Sequence, residues 1–237
     1  MQCLILAGGL GTRIGEFAGD GPKALVPVAG RPFAEHQLRW LASAGVGRVV
    51  YATGHRAAAL RAFVGDGSTW GLQVAWSDDG ERLMGTAGAV RLAVDRGLLD
   101  AGFLVLYGDS YLPMDLRPVW RASGRGARAL MTVHRNRGRW DASNAVVAHG
   151  RVTLFEKGRA DAAAIGMDHI DYGVSVLTRT LVTERVPAGE PADLADLYHR
   201  LSLEGALHAF PVRERFYEVG SPQGVRDLER HLAGRED

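Results

Sequence analysis

Residues 4–13 read Leu-Ile-Leu-Ala-Gly-Gly-Leu-Gly-Thr-Arg, and a Pro-Lys pair follows at Pro22 and Lys23. An apolar run that ends in Gly8, Gly9 and Gly11 can bring backbone N–H groups close to an anion, because glycine has no side chain and tolerates φ > 0. Arg13 and Lys23 then add positive charge suited to phosphate oxygens. A glycine-rich turn after a strand also serves purely structural ends. The whole set decides between the two: a buried-strand pattern, three glycines, Thr12-Arg13 and Lys23 within one short window. It implies a triphosphate site built from Leu6, Ala7, Gly8, Gly9, Gly11 and Thr12 with the two cations. The pattern is neither a Walker loop nor the spaced G-x-G-x-x-G of dinucleotide folds.

Two further segments have residue types that suit the same ligand. Gly108-Asp109 follows an apolar run, and a carboxylate at a strand end suits Mg²⁺, which takes oxygen ligands and shares others with phosphates. Ordinary turn chemistry explains such an aspartate equally well. Gly85-Thr86 opens a helical stretch whose N–H groups and hydroxyl can hydrogen-bond a nucleobase or ribose; the other reading makes Thr86 the helix N-cap. His36, His55 and His134 show no ligand spacing, so no zinc site is assigned. Cys3 is the only cysteine, which leaves it as core filler with no internal disulfide.

The elements that must position these residues follow from periodicity. Apolar runs at Gln2–Ala7, 49–53, 72–76 and 103–107 alternate with helical spacing at 34–45, 58–63 and 88–99. Strands that alternate with helices imply parallel pairing and a sheet covered on both sides. In such sheets ligands bind beyond the carboxyl ends of the strands, and both Gly8–Arg13 and Gly108-Asp109 reach that edge. After residue 115 the pattern shifts to short strands at 129–134, 144–148, Arg151–Phe155 and 174–177, with a hairpin turn at 148–150. Two helices close the chain, at 193–203 and 222–232, the second with Ser221 as N-cap and Pro222 at its first position. The fold class is α/β: a doubly wound, mostly parallel, Rossmann-like sheet with a smaller C-terminal β/α part, in one domain over 1–237. Residues 1–115 make the nucleotide half and 116–237 the sugar-phosphate half.

In motif order and spacing the chain resembles the sugar-1-phosphate nucleotidyltransferases. The motifs are LILAGGLGTR, PKALVPVAGRPF, GTAGAVRLA, LVLYGDS, FEKG, DYGVSVL and FYEVGSPQG. Short members acting on heptose, mannose or N-acetylmuramic acid 1-phosphates are the most similar in layout. The resemblance implies that Asp109 is a Mg²⁺ ligand and that Glu218 is the second, where relatives commonly carry aspartate. It implies that Lys157 contacts the sugar phosphate and that Glu156 hydrogen-bonds sugar hydroxyls. Asp171 and Gly173 border the sugar, although relatives often have asparagine or threonine at position 171, and Asn144 is a further sugar-pocket candidate. Arg13 then holds the leaving pyrophosphate and Lys23 bridges to the α-phosphate. The implied reaction joins a nucleoside triphosphate and a sugar 1-phosphate, with GTP the favoured base. Two alternatives stay open: cytidylyl transfer to a non-sugar phosphate, and a non-catalytic nucleotide- or sugar-binding regulator.

Composition limits the partners. The 237 residues carry 28 Lys and Arg against 27 Asp and Glu, a net charge of +1, without the basic excess of a nucleic-acid binder. No leader pattern, lipidation motif or long apolar span is evident, so a cytoplasmic protein without a membrane partner is expected. Self-association is frequent in resembling proteins, and a homo-oligomer is compatible with the sequence.

Overall fold

In the computed structural model, which describes residues 1–9, 22–54, 57–80, 82–136 and 139–234, the first apolar run forms β1 (Gln2–Ala7). Successive side chains of a strand point to opposite faces. Both faces of β1 are buried: Cys3 and Ile5 enter one core, Leu4 the other. That double burial is why the run is continuously apolar rather than alternating. Burial also pushes the Cys3 thiol well above its usual range, which keeps it protonated and inert.

A short hairpin, β2 (Pro27–Val28) and β3 (Arg31–Pro32), leads into α1 (Phe33–Ser43). Next come β4 (Arg48–Thr53), α2 (Ala57–Val64), β5 (Gln73–Asp78), α3 (Gly85–Asp95) and β6 (Gly102–Tyr107). β7 (Ser110–Tyr111) and α4 (Arg117–Ala122) precede β8 (Leu130–Arg135), β9 (Ala145–Ala148) and β10 (Arg151–Phe155). The chain continues through β11 (His169–Thr178), α5 (Arg179–Arg185), α6 (Leu194–Leu203), β12 (His208–Val212), β13 (Tyr217–Glu218) and α7 (Pro222–Ala233).

One nine-stranded sheet runs through both halves in the order β5-β4-β1-β6-β11-β8-β12-β10-β9. The first four strands are parallel, as the βα alternation implies. The second half is mixed: β11 is antiparallel to both β6 and β8, and β10 to β12 and β9, while β8 and β12 are parallel. Helices α1, α2, α4 and α7 cover one face and α3, α5 and α6 the other. The doubly wound expectation therefore describes the N-terminal half, and the sheet is mixed beyond β6.

Several local expectations are met within a residue or two. Ser221 caps α7, its hydroxyl accepting from the Gly224 N–H at 3.1 Å, with Pro222 in the first turn. The turn at 148–150 joins β9 to β10, paired Ala148↔Arg151. Thr86, by contrast, is not the cap of its own helix: α3 starts at Gly85, after Met84. β12 was not expected, since Pro211 interrupts its apolar run. It is tolerated because β12 meets β10 only at His208↔Arg151, so at Pro211 the strand behaves as an edge.

Candidate active site

The parallel strands all end at one edge, and there the chain closes up through glycines. Gly8 follows β1 and Gly54 follows β4; a Cβ on Gly54 would stand 3.0 Å from the Gly8 carbonyl oxygen. Gly108 donates its N–H to the Leu6 carbonyl at 3.0 Å, and a side chain at 108 would overlap that same carbonyl. Leu6, Ala7 and Gly8 are half-buried and Gly9 is exposed. A rim built mainly of glycine backbone allows the close approach a polyphosphate needs; the Asp79 carboxylate and the Leu83 side chain reach it beside Gly8 and Gly54. Gly11, Thr12 and Arg13 lie outside the described residues.

Beside this rim, Lys23 and Asp109 meet, 86 positions apart in sequence. Lys23 Nζ donates to Asp109 Oδ2 at 2.7 Å, and the side chains are only 17% and 23% exposed. The 218–220 segment joins them. β13 pairs with β7 through Glu218↔Ser110, and the Val219 N–H donates to the Asp109 carbonyl at 2.9 Å. Gly220 lies against the ion pair, its would-be Cβ 3.4 Å from Lys23 Nζ and 3.9 Å from Asp109 Oδ2. Asp109 and the exposed Glu218 thus stand on neighbouring strand ends. Among the described residues no three His, Cys, Asp or Glu side chains gather closely enough to hold a metal ion by themselves. Two carboxylates are a donor set that suits Mg²⁺, which takes oxygen ligands and retains several non-protein ones, so their chemistry fits that ion.

The sugar-side candidates converge around β11. Asn144, buried, donates its backbone N–H to the His169 carbonyl and accepts the Glu156 N–H on its own carbonyl, both at 2.9 Å; its Oδ1 accepts the Asp171 N–H at 2.9 Å. Asp171 accepts from the Gly173 N–H at 3.0 Å and from the Tyr107 hydroxyl at 3.4 Å. Burial pushes its carboxyl above the usual range, and the Gly173 N–H, the Lys157 charge and the Tyr107 hydroxyl offset this only in part. Lys157 Nζ stands 5.6 Å from the centre of the Tyr107 ring. Because β10 ends at Phe155, Glu156 and Lys157 escape the strict alternation of a strand. Glu156 pairs with Arg159 at 2.7 Å. Within the register shift of β11 between Asp171 and Ser175, Gly173 has φ +111°, and a Cβ there would stand 3.2 Å from the Ser110 hydroxyl. The sugar-side cluster thus lies against β7, which directly follows Asp109.

Gly85 and Thr86 are held differently from expectation. Gly85 has φ +68°, and its would-be Cβ lies 2.5 Å from the Ala192 carbonyl oxygen. The Thr86 hydroxyl donates to Asp193 Oδ1 at 2.9 Å and accepts the Leu194 N–H at 2.7 Å. Thr86 therefore helps to cap α6 and fastens it to α3. Sequence reasoning also passed over three residues that shape the site. Tyr107 and Arg159 carried no signal beyond standing next to motifs. Gln37 did carry one, a polar residue on the apolar face shared by Ala34, Leu38 and Leu41. It is buried, and its amide donates to the carbonyls of Ser110 at 2.9 Å and Tyr107 at 3.4 Å, which fixes the turn that bears Asp109.

Comparison with known proteins finds relatives by sequence and by fold. The chain is 27% identical to a mannose-1-phosphate guanylyltransferase of Mycobacterium tuberculosis over 98% of its own length and 66% of that protein's, just under two thirds. It is 23% identical to the D-glycero-alpha-D-manno-heptose 1-phosphate guanylyltransferase of Aneurinibacillus thermoaerophilus, covering 98% of each. Among solved structures, HddC from Yersinia pseudotuberculosis complexed with GMP-PN superposes with a TM-score of 0.77 at 24% identity, over 98% of this chain and 99% of that one. A family model covers residues 3–215, which takes in every candidate above except Glu218, and on that match the chain belongs to the MobA-like NTP transferase domain family.

Proposed function

We propose that the protein is a Mg²⁺-dependent sugar-1-phosphate nucleotidyltransferase of the cytoplasm, using GTP with a heptose or mannose 1-phosphate. The observation that carries the reading is the Lys23–Asp109 pair beside the glycine rim, with Lys157, Asn144 and Asp171 gathered one strand away. The guanylyltransferase relatives support the choice of base and sugar. Among the described residues no helix is long and apolar enough to cross a membrane.

The chemistry asks for alignment and charge neutralisation rather than a general base, since the attacking phosphate is already ionised at neutral pH. One oxygen of the sugar 1-phosphate forms a bond to the α-phosphorus, the bond to the β-phosphate oxygen breaks, and pyrophosphate leaves with that electron pair. Lys23 moves from Asp109 to the α-phosphate, Arg13 holds the β- and γ-phosphates, and Lys157 seats the attacking phosphate. Asn144 fixes the backbone of Asp171 and Glu156, which with Gly173 line the sugar. Asp109 and Glu218 would hold Mg²⁺, which supplies Lewis acidity and orientation at the α-phosphate when bound.

Pyrophosphate release with Mg²⁺, measured across four ribonucleoside triphosphates and dTTP against hexose, aminohexose and heptose 1-phosphates, tests the reading. Release that requires GTP and one such sugar phosphate is expected. Release with CTP and a non-sugar phosphate alone would replace it. Triphosphate binding without turnover on any acceptor would favour a regulator.

A further inference from the structure

Away from these residues, at the ends of β8 and β12, the structure holds a pocket of about 590 Å³, within the range of small-molecule sites. Its wall contains Arg135, Arg139, Arg213 and Arg215, together with Trp140 and His169, and among the described residues no acidic side chain lines it. It shares no lining residue with the candidate active site. Two of the four guanidinium groups are balanced from outside the wall, Arg135 by Asp168 at 2.9 Å and Arg215 by Asp227. Arg139 and Arg213 enter no ion pair among the described residues, so they leave the pocket with uncompensated positive charge.

The pocket is built, not a chance gathering of surface arginines. Asn136 is wholly buried; it accepts the Trp140 N–H on Oδ1 at 3.0 Å and donates from its amide to the Ser143 hydroxyl at 3.2 Å. Its own N–H donates to the Asp168 carbonyl at 2.8 Å. The Asn136–Trp140 bond holds the backbone of Trp140, whose side chain is 44% exposed. Arg215 is stacked between two rings, its guanidinium carbon 4.0 Å from the Trp140 centre and 4.9 Å from that of Tyr217. A planar cation held by two rings and by Asp227 keeps a fixed position in the pocket wall, and guanidinium groups so placed suit phosphate oxygens. Trp140 offers a face for a ligand's carbon skeleton.

We propose that this pocket is a second anion site that takes the phosphate of a small organic phosphate. The pocket itself is argued apart from the transferase reading, and only the acceptor source named below rests on that reading. Its ligand has two sources with the same chemistry. His169 lies two residues from Asp171 on β11, roughly 7 Å at strand rise, so a phosphate carried on the far end of an acceptor reaches it. A separate phosphorylated metabolite reaches it equally well.

Titrations of the whole protein with inorganic phosphate, glucose 6-phosphate and glucose 1,6-bisphosphate, read by calorimetry and by Trp140 fluorescence, test it. Saturable binding of glucose 6-phosphate with Kd below about 1 mM is expected. The Arg139→Ala/Arg213→Ala double variant should weaken it roughly tenfold or more, in line with the loss of charge-assisted hydrogen bonds. Trp140→Phe should remove the optical change and keep the heat. Both positions are on the surface, so the variants should melt as the parent does. Glucose 1,6-bisphosphate that binds tenfold more tightly than glucose 6-phosphate marks the acceptor's own second phosphate as the source; equal binding marks a separate metabolite. No saturation by 10 mM, the same response to potassium chloride at equal ionic strength, or unchanged affinity in the double variant overturns the site.

Discussion

At the scale of single residues, the Lys23–Asp109 ion pair has a consequence for metal binding. The ammonium group 2.7 Å from Asp109 Oδ2 competes for the same carboxylate that the proposed reaction assigns to the metal. On the proposed mechanism, a divalent ion arriving without nucleotide has to compete with Lys23 for that carboxylate, whereas with nucleotide bound the α-phosphate takes Lys23 over. Lys23→Met should therefore tighten Mn²⁺ binding to the nucleotide-free protein, seen by electron paramagnetic resonance, and lower turnover by about 10²-fold or more, the usual loss for one preorganised donor. Weaker Mn²⁺ binding in the variant would show that Lys23 organises the carboxylate instead of shielding it. Asp171 gives a second test, with a definite sign. Its carboxyl is raised by burial, so the folded state binds this proton more readily than the unfolded chain does. The contribution is fully present below the ordinary aspartate range and is lost as pH rises through the folded value. Asp171→Asn should then melt above the parent at pH 7 to 8, and the gain should vanish near pH 4, while turnover falls. A melting difference that is flat across pH would refute the assignment.

At the scale of elements, the site depends on a two-residue ribbon and on the helix that presses on it. The backbone of α7 touches the carbonyl oxygen of Glu218 at Gly224, so tightly that any Cβ there would overlap it. Gly224→Ala must push α7 away from β13 and with it Glu218. A loss of about 1–3 kcal/mol is expected from the overpacking, together with a higher Mg²⁺ requirement. Gly234→Ala, whose would-be Cβ meets nothing nearer than 3.7 Å, is the control and should match the parent in both. The same elements show what a sequence reader can and cannot see. β1, β4, β6 and α7 were legible because their signals are local: doubly buried apolar runs, and Ser221-Pro222 as a start signal. The β7–β13 pairing was not, since two residues hold no period and the partners are about 107 positions apart. Thr86 looked like the cap of its own helix because Asp193 and Leu194, its actual partners, are also far away in sequence. Lys23 is singled out by its place beside the glycine window and Asp109 by following an apolar run, whereas Lys157 and Asp171 are singled out only by motif resemblance; Gln37 was overlooked despite a polar side chain on an apolar helix face.

At the scale of the whole molecule, the two halves share one sheet, and the seam between them is an ordinary ladder. β11, from the C-terminal half, pairs with β6, from the N-terminal half, over five rungs from Val174↔Leu106 to Thr178↔Gly102. Both cores also cross the seam: the second joins Leu4 and Val50 to Phe155, Tyr198 and Leu201. A lesion in one half should therefore be felt throughout the other. Phe155 is fully buried in the C-terminal half and meets Tyr198 edge-on, centroids 5.8 Å apart. Phe155→Ala should cost about 3–5 kcal/mol and leave a single unfolding transition. Its midpoint should shift equally by circular dichroism and by the fluorescence of Trp40, Trp70 and Trp76, all in the N-terminal half. If those tryptophans kept their parental midpoint while ellipticity fell in two steps, the halves would be separate folding units. The active-site edge between Asp109 and Asp171 would then be a docked interface, free to open, and not the rigid seam of one sheet.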